Sequence, residues 1–188
     1  MPLSKSVPRR QVHERKINFE TFLRQDGLWD IEAHMTDTRM HEITSDFYPK
    51  LEAGKPYHDM WVRLTLDSTM EVKAIEVVMD RAPFGQCPKI VGNYQKLMGA
   101  RIGNKWLRRV VEAGGGCSGC THINGILQYM GNVAFQGIMT ELTSTNQGYP
   151  VLVTEAQVAE TLINSCHSWE ASTAIVREYL PSFHQPKQ

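Results

Sequence analysis

Polar and apolar residues alternate along the first eighty positions of the chain, and apolar residues recur every three or four positions after that. In 28–35, Trp29, Ile31, Ala33 and Met35 share one face while Asp30, Glu32, His34 and Thr36 share the other, the period-two pattern of a half-buried strand. A strand-like run at 16–23 precedes it, and Gln25-Asp26-Gly27 between the two is a hairpin signal. Residues 37–57 read as a polar connection broken by Pro49, Gly54 and Pro56. In 58–67, Met60, Val62, Leu64 and Leu66 alternate with Trp61, Arg63 and Thr65; Asp67-Ser68-Thr69 then turns the chain and 70–80 returns as a Val- and Ile-rich strand. The prediction is an antiparallel meander of about four strands.

From about residue 89 the period becomes helical, which predicts helices over 89–98, 103–113, 121–142, 155–164 and 171–179, the last stopped by Pro181. The longest carries Ile123, Ile126, Leu127, Met130, Val133, Ala134, Ile138 and Leu142 on one face, with Cys120 or Thr121 at its N-cap. Strands first and helices after predict an α+β fold, with helices from the C-terminal half packed on one face of an antiparallel sheet. Residues 1–12 lack any period and are expected to be a flexible tail, with 13–188 a single domain.

Hydrophobic residues make up 41% of the 188 positions, charged residues 21%, and the net charge is zero. That balance argues against a nucleic-acid or anionic-membrane partner. Gly114-Gly115-Gly116 lacks the Lys-Ser/Thr of a phosphate-binding loop. No run approaches the ~18 apolar residues of a membrane span, and no apolar segment follows the basic N-terminal run, so a cytoplasmic location is expected. There, Cys87, Cys117, Cys120 and Cys166 are expected as metal ligands, reactive thiols or small buried residues rather than disulfides.

The stretch from Gly114 to His122 concentrates the candidate chemistry. A thiolate at Cys120 would sit at a helix start, where free N–H groups favour an anion. His122 just inside that start would be held neutral, as a base is. His58 and Asp59 are adjacent on a strand, so they face opposite ways and cannot form a dyad. Candidate roles are His58 or His122 as base, Asp59 or Asp30 as acid, and Cys120 as a nucleophile for which the sequence names no third, orienting group. Asp30, Glu32 and His34 also suit a plain solvated face. Cys87, Met60, Tyr94 and Trp61 are candidate substrate-contacting residues in an apolar pocket, although methionines at such spacing commonly fill cores. The alternative is zinc or an iron–sulfur cluster held by Cys87, Cys120 and His122, with Cys117 as a further donor.

Asp26-Gly27-Leu28-Trp29-Asp30-Ile31-Glu32-Ala33, His58-Asp59-Met60-Trp61, Ala82-Pro83-Phe84-Gly85-Gln86-Cys87, Gly119-Cys120-Thr121-His122 and Cys166-His167-Ser168-Trp169 occur in that order. Together they closely resemble a bacterial family described only as a domain of unknown function, over roughly residues 15–182. The resemblance implies a setting among catabolic enzymes for lipids, steroids or aromatics, and a position 117 that is usually not cysteine. The order of strands, loop cysteine and helices resembles iron–sulfur scaffold proteins of the NifU type, in which Cys87 and Cys120, with His122 close by, would match ligand positions. The scaffold family has a further cysteine on the helix between them, whereas this chain has none between Cys87 and Cys117. More loosely, the chain resembles in size bacterial α-pinene oxide lyase, a cofactor-independent enzyme.

These resemblances and the histidine–carboxylate inventory lead to one expectation: a cofactor-independent lyase or isomerase acting by acid–base chemistry on a small apolar substrate, a terpenoid epoxide such as α-pinene oxide. The alternatives are a non-enzymatic zinc or iron–sulfur protein and a partner-binding module. A homo-oligomer is compatible with all three.

Overall fold

The computed structural model describes residues 3–103, 105–144 and 154–187. Residue 104 of the expected helix 103–113 and the first two residues of the expected tail lie outside these. Residues 3–12 are exposed and carry no regular structure. Four strands follow: β1 (His13–Leu23), β2 (Trp29–Arg39), β3 (Pro56–Leu66) and β4 (Val72–Arg81). They form one antiparallel sheet in the order β1-β2-β3-β4, the meander that the alternation predicts. Gly27 turns the first hairpin at φ +81°, a conformation glycine adopts freely. Asp67 turns the last one by accepting the backbone N–H groups of Thr69 and Glu71 at 2.8 and 3.0 Å.

β2 continues four residues beyond the expected 28–35. Its inward positions run Trp29, Ile31, Ala33, Met35 and then Asp37, every one of them buried. A carboxylate at an inward position reads as the end of a strand. Here the alternation persists because Asp37 has partners waiting for it on both neighbouring strands.

The helices of the first compact unit, Met1–Ala134, cover the inner face. They comprise a 3₁₀ segment (Cys87–Leu97), α1 (Trp106–Gly114) and α2 (Thr121–Ala134). The first was expected as an ordinary helix over 89–98; Gly92 in its interior weakens the α-helical preference there. Ile123, Ile126, Leu127 and Met130 of α2 are fully buried, as are Ile31, Met35, Met60, Leu64 and Leu66 of the sheet. The indole of Trp106 donates to the Leu127 carbonyl at 2.7 Å, and Gly131 leaves room for that ring. An α+β fold results.

In the second unit, Phe135–Gln188, the helical run passes through a π-helical turn (Phe135–Met139) into α3 (Thr140–Thr143), so the expected helix over 121–142 is interrupted rather than continuous. Then come α4 (Glu155–Leu162) and α5 (Ala174–Tyr179). Thr154 and Gln157 form a reciprocal cap on α4. Ala159, Val176 and Leu180 form a small core against which Trp169 of the Cys166-His167-Ser168-Trp169 motif packs, while Cys166 and His167 stay exposed. Among the described residues no helix is long and apolar enough to cross a membrane.

The glycine-rich segment between α1 and α2 is moulded around Tyr94, whose ring is fully buried. Its hydroxyl accepts the Cys120 N–H at 2.9 Å and donates to Asn124 Oδ1 at 2.8 Å. Asn124 in turn donates to the Gly114 carbonyl at 2.7 Å, and Asn93 donates to the Ser118 carbonyl at 2.8 Å. Burial pushes the Tyr94 hydroxyl up to about 12, so it keeps the proton it donates. A side chain at Gly114 would run into the Tyr94 ring, and one at Gly119 into the Gly114 carbonyl. Gly119→Ala is therefore expected to lower stability by about 1–3 kcal/mol through forced overpacking. Urea unfolding should show a lower midpoint at unchanged slope; an unmoved midpoint would contradict this packing.

Candidate active site at the end of the sheet

Strand register places Arg15, Asp37 and His58 in one row across β1, β2 and β3 on the inner face. The register shifts just beyond Asp37, the kind of irregularity that re-aims side chains beside functional sites. Asp37 is wholly buried. Its Oδ1 accepts from Arg15 Nε at 2.7 Å and His13 Nε2 at 3.1 Å, and its Oδ2 from Arg15 Nη2 at 2.7 Å and His58 Nδ1 at 2.9 Å. Burial alone would raise the carboxyl pKa. The forked Arg15 contact, helped by His58 and His13, outweighs it and brings Asp37 down to about 2.

The fourth member arrives from α2. The Cys120 carbonyl accepts the Asn124 N–H at 2.9 Å, which makes Cys120 the cap residue and puts His122 in the first turn. The His122 ring lies 4.1 Å from the His58 ring, centroid to centroid. His122 Nε2 is 3.8 Å from Asp37 Oδ2, and Nδ1 is 3.6 Å from Cys120 Sγ. Burial lowers the pKa of both imidazoles; for His122 the neighbouring His58 and Arg15 add to the effect, and for His58 the Asp37 hydrogen bond opposes it. An ionised carboxylate only accepts hydrogen bonds, so neutral His58 carries its proton on Nδ1 and keeps a lone pair on Nε2. The same charge favours the proton on Nε2 of His122, leaving Nδ1 as acceptor toward the Cys120 thiol. The order thiol, imidazole, carboxylate thus supplies the orienting group for Cys120 that the sequence did not name.

The other expected acids are elsewhere. Asp59 and Asp30 lie on the outer face of the sheet, across it from His58 and His122, because neighbours along a strand face opposite ways. Asp59 bonds His34 Nε2 at 2.7 Å, and the His34 ring stacks on Trp61 at 3.7 Å. Asp30 accepts from the Thr65 hydroxyl at 2.6 Å, and Arg63 bridges Glu32 and Glu76 at 2.7 and 3.0 Å. This is the solvated face of the plainer expectation. Nor do the four expected substrate-contacting residues share a cavity. Met60 and Tyr94 are sealed in the core, and Cys87 is half-buried at the start of the 3₁₀ segment. Trp61 lines a shallow groove of about 200 Å³ on the outer face, together with Val78 and Arg63.

Among the described residues, the group of metal-ligating side chains that converges is Asp37, His58 and His122, with ligand atoms within 4.8 Å of one another. Cys87, Cys117 and Cys120 are outside that group, and Cys117 is exposed. Both Asp37 oxygens already hold the Arg15 guanidinium, so a cation there would have to displace one. As folded, these residues fit an ion-pair cluster better than a metal centre.

Asp37, His13 and Arg15 escaped the sequence reading, although a signal existed: Asp37 is in phase with Met35, and His13 and Arg15 with Ile17 and Phe19. An antiparallel sheet with helices on its inner face, and a buried carboxylate–imidazole cluster where the first turn of α2 meets the sheet end, define an α+β protein with the makings of an acid–base centre. The chain belongs to the family described as Protein of unknown function (DUF2889), whose model matches residues 13–136. That span holds all four strands, α1, α2 and every member of the cluster. No curated protein and no solved structure matches the chain.

Two outcomes follow for stability. Asp37→Asn leaves a buried cluster with unpaired donors and should cost about 3 kcal/mol, the low end for breaking a buried pair because Arg15 is partly exposed; a change within error in chemical unfolding would show that the cluster is not held by charge. His58 and His122 have folded pKa values below the ordinary 6.5. The unfolded chain therefore binds more protons as the pH falls through about 6.5, and the stability they contribute is lost below it. Tm should fall from pH 7 to pH 5, and His122→Gln should flatten the fall; an equally steep fall in the variant would contradict the assignment.

Proposed function

We propose that the protein is a cofactor-independent acid–base enzyme, a lyase or isomerase, whose centre is Asp37, His58, His122 and Cys120. One observation carries the reading: two imidazoles kept neutral by burial sit side by side against a carboxylate that stays ionised. Paired titratable groups whose environments push their pKa values apart are how one site supplies both an acid and a base. His58 Nε2 is the base that takes a carbon-bound proton. The Cys120–His122 pair donates a proton to the oxygen as its bond to carbon breaks. Asp37 orients His58 and stabilises the imidazolium form when it appears, and Arg15 keeps Asp37 anionic. Asp59 and Asp30, the acids expected from the sequence, lie on the outer face of the sheet and have no part in this reading.

The substrate class, a small apolar molecule with a terpenoid epoxide as the specific choice, rests on the resemblance to α-pinene oxide lyase and on the catabolic setting implied by the family resemblance. The second reading is zinc or iron–sulfur binding. What favours it is the convergence of Asp37, His58 and His122, with Cys120 beside His122.

Turnover of α-pinene oxide by metal-free protein tests both. His122→Gln is expected to reduce kcat about 10²- to 10⁴-fold, the usual worth of a positioned proton-transfer group, with chelator treatment of the wild type without effect. A chelated enzyme that is inactive and recovers with zinc would instead establish the metal reading.

A further inference from the structure

A cleft of about 310 Å³ lies between the 49–57 segment and the end of β4. Its apolar walls come from Pro49, Leu51, Ala82 and Pro83, and Tyr57 closes one side. The Tyr57 ring is also the wall of the acid–base cluster: it packs on His58 at 4.7 Å and on His13 at 6.1 Å, centroid to centroid. One aromatic ring therefore separates this cleft from the imidazole to which the proposed chemistry is assigned.

The charges around the cleft are unequal. Lys50, Lys55 and Arg81 line it, against Glu52 and Asp80. Lys55 is paired with Glu52 at 2.5 Å, and Lys50 with Glu42 at 2.9 Å. Among the described residues no ion pair reaches Arg81, and Glu52, paired with Lys55, lies near enough to feel its charge. The Arg39 guanidinium sits over the Tyr57 ring, 5.6 Å from its centroid, and is not among the side chains that line the cleft. A guanidinium presents parallel N–H groups that match a carboxylate, and Pro49, Leu51, Tyr57, Ala82 and Pro83 offer an apolar body a place beside it in a cleft otherwise lined by charged side chains.

We infer that this cleft is a ligand site beside the acid–base cluster, taking a small molecule with an apolar body and a carboxylate, the carboxylate anchored at Arg81 and the body against Tyr57. The inference goes beyond the proposed function, and binding here does not depend on it.

Benzoate and its neutral isostere benzamide are the probes, titrated into the full chain and followed by amide NMR shifts at Leu51, Tyr57 and Ala82. Benzoate should saturate with shifts confined to the cleft and benzamide should bind more weakly. Arg81→Gln should weaken benzoate about tenfold, the equivalent of one charge-assisted hydrogen bond, and leave benzamide unchanged. Arg81 is exposed, so the fold should tolerate the change, and Asp80→Asn serves as a charge control expected to tighten benzoate. Equal binding of the two probes, no saturable binding of either, or a benzoate affinity indifferent to Arg81→Gln would overturn the inference. His122→Gln separates the two ideas. If the cleft assignment holds and the acid–base reading fails, that variant binds benzoate normally and loses no turnover; if both hold, it binds normally and turnover falls.

Discussion

A single carboxylate organises the functional end of this molecule. Asp37 has no contact with solvent and would be costly to leave ionised there by itself. It stays ionised because Arg15 engages both its oxygens from β1 while His58 donates from β3. The strand register that puts these three in a row is thus also the register that keeps the charge stable. A slip of one residue would turn Asp37 to the outer face and break the cluster and the apolar core together. Fold and site depend on the same alignment.

The helical layer completes the arrangement through a different set of contacts. Tyr94 reaches from the 3₁₀ segment to the Cys120 N–H and to Asn124, and Asn124 holds the Gly114 carbonyl. These bonds fix where α2 begins and so where Cys120 and His122 stand above the sheet. Glycines at 114 and 119 are required by that closeness, since backbone and ring occupy the space a side chain would need. The segment that looks in sequence like a metal knuckle forms a tight collar around a tyrosine and delivers one thiol and one imidazole to a carboxylate on β2.

The strands were legible because one face of the sheet is buried and the other solvated, which writes a period of two into β2 and β3. The helices were legible by their period of three to four, apart from the 3₁₀ geometry at Cys87–Leu97 and the π-helical turn after Ala134, which depend on hydrogen-bond spacing that apolar spacing does not encode. His58, His122 and Cys120 could be singled out as chemistry-bearing types, and His58 and Asp59 could be assigned to opposite faces from adjacency alone. Asp37 could not be found that way. A lone carboxylate continuing an apolar face makes sense only once Arg15 and His58 are known to flank it, and that is a matter of pairing between strands distant in sequence. The same limit hides which carboxylate faces the imidazoles: nothing local in the sequence sets Asp37 apart from Asp30 until the strands are paired.

The proposed chemistry needs both imidazoles neutral beside an ionised Asp37. Nitrogen NMR of the histidine side chains between pH 5 and 8 reads this directly. At pH 7, His58 should be neutral with its proton on Nδ1, His122 should be neutral with its proton on Nε2, and each should titrate below 6.5. An imidazolium at either position at pH 7, or a proton on Nε2 of His58, would contradict it.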